Sequence, residues 1–326
     1  MNRRELLLGG LCVPLASACL PTTPGPSATA ASTDAPLRQI TIQVPNKGAN
    51  LTWLYVTQDL GLFQKQGLQV NIVTMSPNTA AAALQSGEIT FMTATGSAAR
   101  AALQGLPVRV VLIAADRATY VLLGAKGISS IDDLRGKVVA AYSPQNSINT
   151  TTVELLRRKG LTADQYTLLN VGDDAARTAA VVANQAAATL LDLSAALKYL
   201  NGGYTALARG ADIPQLPASG LAVSAATLSG DRQLVREVVQ AVLAGLQVAA
   251  TQQSTTVPIM AREFDLSAAD AATVYTEMAA ALAPTGEPSS AGMQLELESD
   301  QRDLELPDPI QPDRIYDFSV VREVRG

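Results

Sequence analysis

Strand-sized and helix-sized segments take turns along this chain twice over, and that alternation limits the fold more than any other feature of the sequence. In the first cycle Ile40 to Val44 reads as a strand, Leu51 to Lys65 as a helix and Leu68 to Val73 as a strand. Thr79 to Gln85, Ile89 to Met92, Ser97 to Gln104 and Val108 to Ile113 continue as helix, strand, helix, strand. This β-α-β-α order implies a mostly parallel sheet covered by helices on both faces. A second cycle follows Ile131 to Lys137: Val138 to Ala141, Tyr166 to Val171 and Ala187 to Leu191 as strands, Ser147 to Arg158 and Ala175 to Ala183 as helices. The cycles share their punctuation. Gln66-Gly67-Leu68 corresponds to Lys159-Gly160-Leu161, and Ser86-Gly87 to Asn184-Gln185, since Asn is the usual substitute for Gly where a helix ends left-handed.

The pattern predicts an α/β chain of two similar lobes. After a short strand at Ser219 to Ser224 come long helices over Asp231 to Gln252, Thr255 to Glu263 and Ser267 to Leu282, the last opened by Ser267 with Asp270 three residues on, close to a capping box. These helices are expected to pack on the first lobe, because the second already has its own. The expected layout is residues 37–120 with 221–326 as lobe 1 and 121–220 as lobe 2, each a mostly parallel sheet flanked by helices. Two hinge crossovers, near residues 119–126 and 216–224, join them. The tail from Ala283 is proline-rich and acidic until Pro312, where a closing helix with Pro in its first turn is expected.

The N-terminus predicts export. Residues 1–18 carry Arg3 and Arg4, an apolar run from Leu6 to Leu15 and then small residues up to Cys19, the make-up of a signal peptide. The run is too short to cross a bilayer, which takes roughly 20 apolar residues. Leu15-Ala16-Ser17-Ala18-Cys19 resembles the bacterial lipobox, with Ala16 in place of the usual larger aliphatic residue. That resemblance implies cleavage before Cys19, lipidation of its thiol and anchoring at the outer face of the cytoplasmic membrane; the other reading is an ordinary signal peptide and a periplasmic protein. Residues 19–36, rich in Pro, Ser, Thr and Ala, read as a flexible tether.

Composition removes whole classes of chemistry. The chain has no histidine, so His-based acid–base catalysis, Ser-His-Asp and Cys-His nucleophiles and imidazole metal sites are excluded. Both cysteines, Cys12 and Cys19, lie in the export segment, so the remainder has no internal disulfide. Cleavage leaves roughly 300 residues, enough for two lobes with their own cores. The net charge of −5 offers no basic surface for nucleic acid. No catalytic residue, cofactor or metal is expected.

In open parallel sheets ligands sit beyond the carboxyl ends of the strands, where helix N-termini present unsatisfied N–H groups. That rule nominates Asn46 and Lys47 after the first strand, with Trp53 one turn on, placed to stack on a planar solute or to pack in the core. It nominates Thr95, Gly96 and Ser97 after the third strand, and Asp116 and Tyr120 near the crossover. From the second lobe come Tyr142, Ser143, Asn146 and Ser147, then Asp173 beside Asp174, and Asp192. Ser97, Asn146, Ser147 and Asp174 have an alternative use as helix N-caps. Acidic residues outnumber Lys47 and Arg117 in these loops, which favours a neutral or partly cationic organic solute over a small anion. Trp53, Tyr120 and Tyr142 suit a planar heteroaromatic one.

Four ordered segments carry a family resemblance: Leu54 to Val70, Leu103 to Val111, Ile128 to Lys137 and Asp317 to Val321. Over about residues 37 to 324 the chain resembles the ABC-transporter periplasmic solute-binding proteins of the nitrate, sulfonate, taurine and thiamine-precursor (pyrimidine) group. The resemblance implies the two-lobed periplasmic-binding-protein fold, type II-like. It also implies capture of a small solute in the interlobe cleft by hinge closure, and delivery by a monomer to an ABC permease and its ATPase. The partners implied are that solute, the permease and the membrane through an N-terminal lipid. Thr90 and Ala187 stand where the group often carries an acidic residue, so specificity does not transfer from a typical member. A pyrimidine or thiamine precursor or a flavin-like vitamin is the favoured solute, with alkanesulfonate, taurine or nitrate as the alternative. A fungal branch makes the thiamine pyrimidine with its own histidine and a cysteine-rich loop; this chain has neither. Two readings of other classes remain open: a solute-sensing lipoprotein, and an exported enzyme using a carboxylate pair such as Asp173 and Asp192.

Overall fold

A computed structural model describes residues 36–142, 146–306 and 309–326. The predicted signal peptide, Cys19, the tether up to residue 35 and Ser143 lie outside the described residues, as does the side chain of Ser147. The first stretch runs β1 (Arg38–Val44), α1 (Thr52–Asp59), β2 (Leu68–Thr74), α2 (Pro77–Ser86), β3 (Phe91–Met92), α3 (Thr95–Leu103) and β4 (Val108–Ala115). The middle holds β5 (Tyr120–Gly124), β6 (Val138–Ala141), α4 (Ser147–Arg158), β7 (Thr167–Asn170), α5 (Asp174–Val182), β8 (Ala188–Asp192), α6 (Leu193–Leu200) and β9 (Thr205–Arg209). The chain ends with β10 (Ser219–Ser224), α7 (Ala225–Gly230), α8 (Arg232–Thr251), α9 (Gln253–Glu263), α10 (Ala268–Ala281), α11 (Ser290–Asp303) and α12 (Ser319–Arg325).

The strands form two five-stranded sheets, in the orders β2-β1-β3-β10-β4 and β7-β6-β8-β5-β9. Each holds one reversed strand, β10 in the first and β5 in the second, antiparallel to both its neighbours. The reversal follows from the connections. A strand arriving from the other sheet enters at the carboxyl ends of its new neighbours and so has to run against them. The remaining strands of each sheet share one direction, in keeping with the helical connections between them. The matched punctuation is matched in backbone too: Gly87 after α2 and Asn184 after α5 both take left-handed φ, 78° and 56°.

Several elements differ from the sequence expectation. The helix predicted to reach Lys65 ends at Asp59, and a short 3-10 turn, Gln64–Gln66, follows. Residues 120–124, expected as connection, are the strand β5. The proline-rich, acidic tail, for which no helix was read before Pro312, contains the full helix α11, and the closing helix begins at Ser319, after a single 3-10 turn at Pro312–Arg314.

Of the late helices α8 packs on α1, on the first sheet's side, while α10 also touches α6 and α11 touches α4. The buried stripe Leu234, Val235, Val238, Val239, Val242 and Leu246 of α8 joins the core formed by Leu54, Val56 and Phe63. Gly245 is where the two helices come closest. A Cβ there would lie 1.9 Å from Thr57 Oγ1, which itself donates to the Trp53 carbonyl at 2.7 Å. The tail also covers the outer edge of β4: Val110 N–H donates to Ile315 O and Asp317 N–H to Val110 O, both at 2.9 Å, and Ile113 N–H donates to Gly286 O at 2.9 Å. An unpaired edge invites pairing with another chain, and here the protein's own last residues occupy it.

Candidate functional site

The carboxyl ends of the like-directed strands of both sheets border one cavity of about 270 Å³. From the first sheet it is lined by Asn46 after β1, Thr74 at the end of β2, Thr93 and Ser97 after β3, and Ser219 where β10 enters. From the second come Tyr142 and Asn146 after β6, Asp173 and Asp174 after β7, Asp192 at the end of β8, and Tyr120 where β5 enters. Tyr120 and Asp192 are direct cross-strand partners, which fixes both at that end of the sheet.

Three of the nominated residues cap helices as well as line the cavity. Asn146 Oδ1 accepts from Ile148 N–H at 2.9 Å, Asp173 Oδ1 from Ala176 N–H at 2.9 Å and Asp192 Oδ1 from Ser194 N–H at 2.9 Å. Ser97 and Asp174 are not caps; both lie inside the first turns of their helices. The N-cap of α3 is Ala94, which has no capping side chain, and the hydroxyls of Thr93 and Ser97 are buried with no protein hydrogen-bond partner. Buried polar groups are nearly always paired, so this turn presents unused hydrogen-bonding capacity to the cavity.

Asp192 is the most heavily engaged carboxylate. Its Oδ1 also accepts from Ser194 Oγ at 2.6 Å and from Ala49 N–H at 3.0 Å, and its Oδ2 accepts from Thr119 Oγ1 at 3.2 Å. Burial nonetheless raises its pKa above the usual carboxylate value. The bond from Ala49 joins the turn after β1 to the end of β8, and Asn46 Nδ2, donating to Asp174 Oδ2 at 2.6 Å, makes a second link between the two sides. Burial also raises the Tyr120 and Tyr142 hydroxyls above their ordinary values, so both stay protonated and can donate.

Among the described residues lining the cavity there is no lysine or arginine. A guanidinium reaches one lining residue from outside the cavity: Arg177, on α5 and fully buried. It pairs with Asp174, donates to Leu190 O and to Thr189 Oγ1 at 3.2 Å, and stands 5.7 Å from the Tyr142 ring centre. Sequence reasoning did not find Arg177; its place three residues after Asp174 on a helix was the available signal.

The cavity excludes several nominated residues. Trp53 is wholly buried in the core, its indole N–H donating to Ser219 Oγ at 3.1 Å, because α1 turns that face toward β10 and α8. Lys47 points outward to Glu263 at 3.5 Å and over the Tyr55 ring. Asp116 instead ties the crossover to α11, accepting from Gln215 Nε2 at 2.7 Å and Ser289 N–H at 3.0 Å. Thr95 is buried beside the cavity without lining it. Gly96 faces a separate void of about 20 Å³ behind Tyr120.

That void borders a buried charge cluster. Arg100 of α3 pairs with Asp300 and Asp303 of α11, both at 2.8 Å, and donates to Thr150 Oγ1 of α4 at 2.6 Å. Glu296 accepts from the Tyr316 hydroxyl. Burial, reinforced by Asp300, pushes Glu296 up to about 8, and burial pushes Asp300 up to about 6 against the pull of Arg100.

A model of the family described as NMT1/THI5 like matches residues 48–256, more than half of the chain. The chain belongs to the NMT1/THI5-like family. This family member is 27% identical over 263 residues to the riboflavin-binding protein RibY of Chloroflexus aurantiacus, covering 76% of this chain and 74% of that protein. Its structure is similar to the periplasmic aliphatic sulphonate-binding protein SsuA from Escherichia coli, with a TM-score of 0.66 and 18% identity over 86% of this chain and 97% of that one. The periplasmic nitrate-binding protein NrtA from Synechocystis PCC 6803 is similar with a TM-score of 0.69 and 11% identity, over 89% and 88% of the two chains. The NMT1/THI5-like chain thus has the periplasmic-binding-protein fold that the sequence resemblance implied.

Proposed function

We propose that this protein is the extracytoplasmic solute-binding component of an ABC importer, lipid-anchored through Cys19, and that it captures a planar heteroaromatic solute of the flavin or pyrimidine-vitamin kind. One observation carries the choice of solute: the cavity combines two tyrosines, three carboxylates and the unpartnered hydroxyls of Thr93 and Ser97, with no cation among its described lining residues. A flat ring system finds stacking partners in Tyr120 and Tyr142. Its amino, imide or sugar-alcohol hydrogens find acceptors in the carboxylates. A sulfonate or nitrate would instead meet Asp173 and Asp192, with the one adjoining guanidinium, Arg177, already taken by Asp174. The likeness to RibY supports a flavin as the first candidate. Nothing in this reading requires chemistry on the solute.

The two sheets act as two lobes, with the passages from β4 to β5 and from β9 to β10 as the hinge. Solute touching both lobes shifts the population toward a closed form, which the permease then recognises. Riboflavin titrated into the purified protein is expected to lose fluorescence saturably, and the melting temperature to rise with it. A screen in which only small sulfonates or nitrate stabilise the protein overturns the heteroaromatic assignment. Small-angle scattering tests closure, since a radius of gyration unchanged at saturation contradicts a moving hinge.

A further inference from the structure

We infer that Asp174 is a specificity-determining residue: its carboxylate fills, from within the chain, an anion site built by Arg177 and Asn46, and so keeps small anions out of the cavity. The inference rests on the solute-binding reading of that cavity and concerns which solutes it refuses.

The two oxygens of Asp174 are held as a bound oxyanion would be held. Arg177 Nη2 pairs with Oδ1, and Asn46 Nδ2 donates to Oδ2 at 2.6 Å from the opposite side of the cavity. The guanidinium does not depend on Asp174 for its position. Leu190 O and Thr189 Oγ1 hold Nη1, the Tyr142 ring flanks the plane, and the side chain is buried within α5 and β8. Removing the carboxylate therefore leaves a fixed, desolvated cation at the cavity wall, its Nε already without a partner. A planar guanidinium fork matches the paired oxygens of a sulfonate, nitrate or carboxylate, and an unpaired buried charge strongly favours acquiring a counter-ion. Asp173 at the rim and Asp192 beside the site remain and oppose that ion, so the affinity gained is modest; Asp192 has its own donors from Ala49, Ser194 and Thr119.

The test uses Asp174→Ala and Asp174→Ser in the full soluble chain, with sodium methanesulfonate and sodium nitrate titrated against sodium chloride at equal ionic strength. Both variants are expected to gain a saturable rise in melting temperature of a few degrees with methanesulfonate, which the unaltered protein lacks. The added change Arg177→Met is expected to abolish that gain. The Ser variant keeps one acceptor for Arg177 and supplies the readout should the Ala variant not fold. An equal response from the unaltered protein, no response from a folded variant, or a response that survives Arg177→Met overturns the inference. A failed riboflavin titration of the unaltered protein counts against the heteroaromatic reading alone, because the anion gain is read without flavin.

Discussion

Raising the pH from about 5.5 to about 7.5 is expected to destabilise the folded chain by on the order of 3 kcal/mol, and Glu296→Gln to remove most of that loss, leaving only the part that Asp300 carries below about pH 6. In the unfolded chain Glu and Asp release their protons near about 4.3 and 3.9. In the fold, burial keeps the proton on Asp300 to about 6 and on Glu296 to about 8. Below pH 6 the folded state thus holds two more protons than the unfolded state, and between 6 and 8 it holds one more. Each extra proton makes the unfolding free energy fall by about 1.4 kcal/mol per pH unit. The half unit below pH 6 and the 1.5 units above it together come to a loss on the order of 3 kcal/mol. Carboxylates held low by partners, such as Glu154 between Arg157 and Arg158 or Asp231 beside Arg38, lose their contribution only as the pH falls below the unfolded range, outside this window. Gln at 296 retains an acceptor for the Tyr316 hydroxyl. Urea unfolding followed by the single tryptophan, which is buried in the core, gives the free energy at each pH. A profile that is flat or rises over this range, or one for Glu296→Gln that runs parallel to the parent, refutes the reasoning.

Other outcomes follow from the site and its supports. Tyr142→Ala is expected to weaken solute binding by about tenfold through lost stacking, and Tyr142→Phe far less, as read by fluorescence titration. Trp53→Phe is expected to lower stability by about 1–3 kcal/mol while moving solute affinity by less than about twofold, because the indole bonds Ser219 in the core rather than the solute; a large affinity loss with unchanged stability would put Trp53 back in the site. Gly245→Ala forces α8 away from Thr57 and is expected to cost about 1–3 kcal/mol in denaturant unfolding.

Most strands and most helices were legible because their periodicity was regular and Gly or Asn marked their ends; β5 and β9, next to the crossovers, were not read. Strand direction was not, since alternation of apolar residues carries no sign, and the reversed β5 and β10 emerge only from where the chain crosses between sheets. Helix α11 escaped because its buried face is Gly292, Glu296, Leu297, Ser299 and Asp300, mostly polar, so no apolar stripe announces it. The rule placing ligands beyond strand ends located the cavity's two sides and brought Asn46, Ser97, Tyr120, Tyr142, Asn146, Asp173 and Asp192 to it. A residue on the right loop can still face away, as Lys47 and Trp53 do, because loop position leaves side-chain direction open. The internal neutralisation of Arg177 was missed for a related reason: composition counts charges without showing which of them are spent on one another, and only the i,i+3 spacing from Asp174 pointed to it.

The outer edge of β4 is sealed by residues 315–317, so the sheet that begins at Arg38 is finished only by the last part of the chain. Assembly of that sheet therefore has to wait for contacts between regions separated by most of the polypeptide, a slow class of closure. Any fragment lacking the tail presents β4 as a template for strand addition, which makes C-terminal loss a direct route from the folded chain to aggregates.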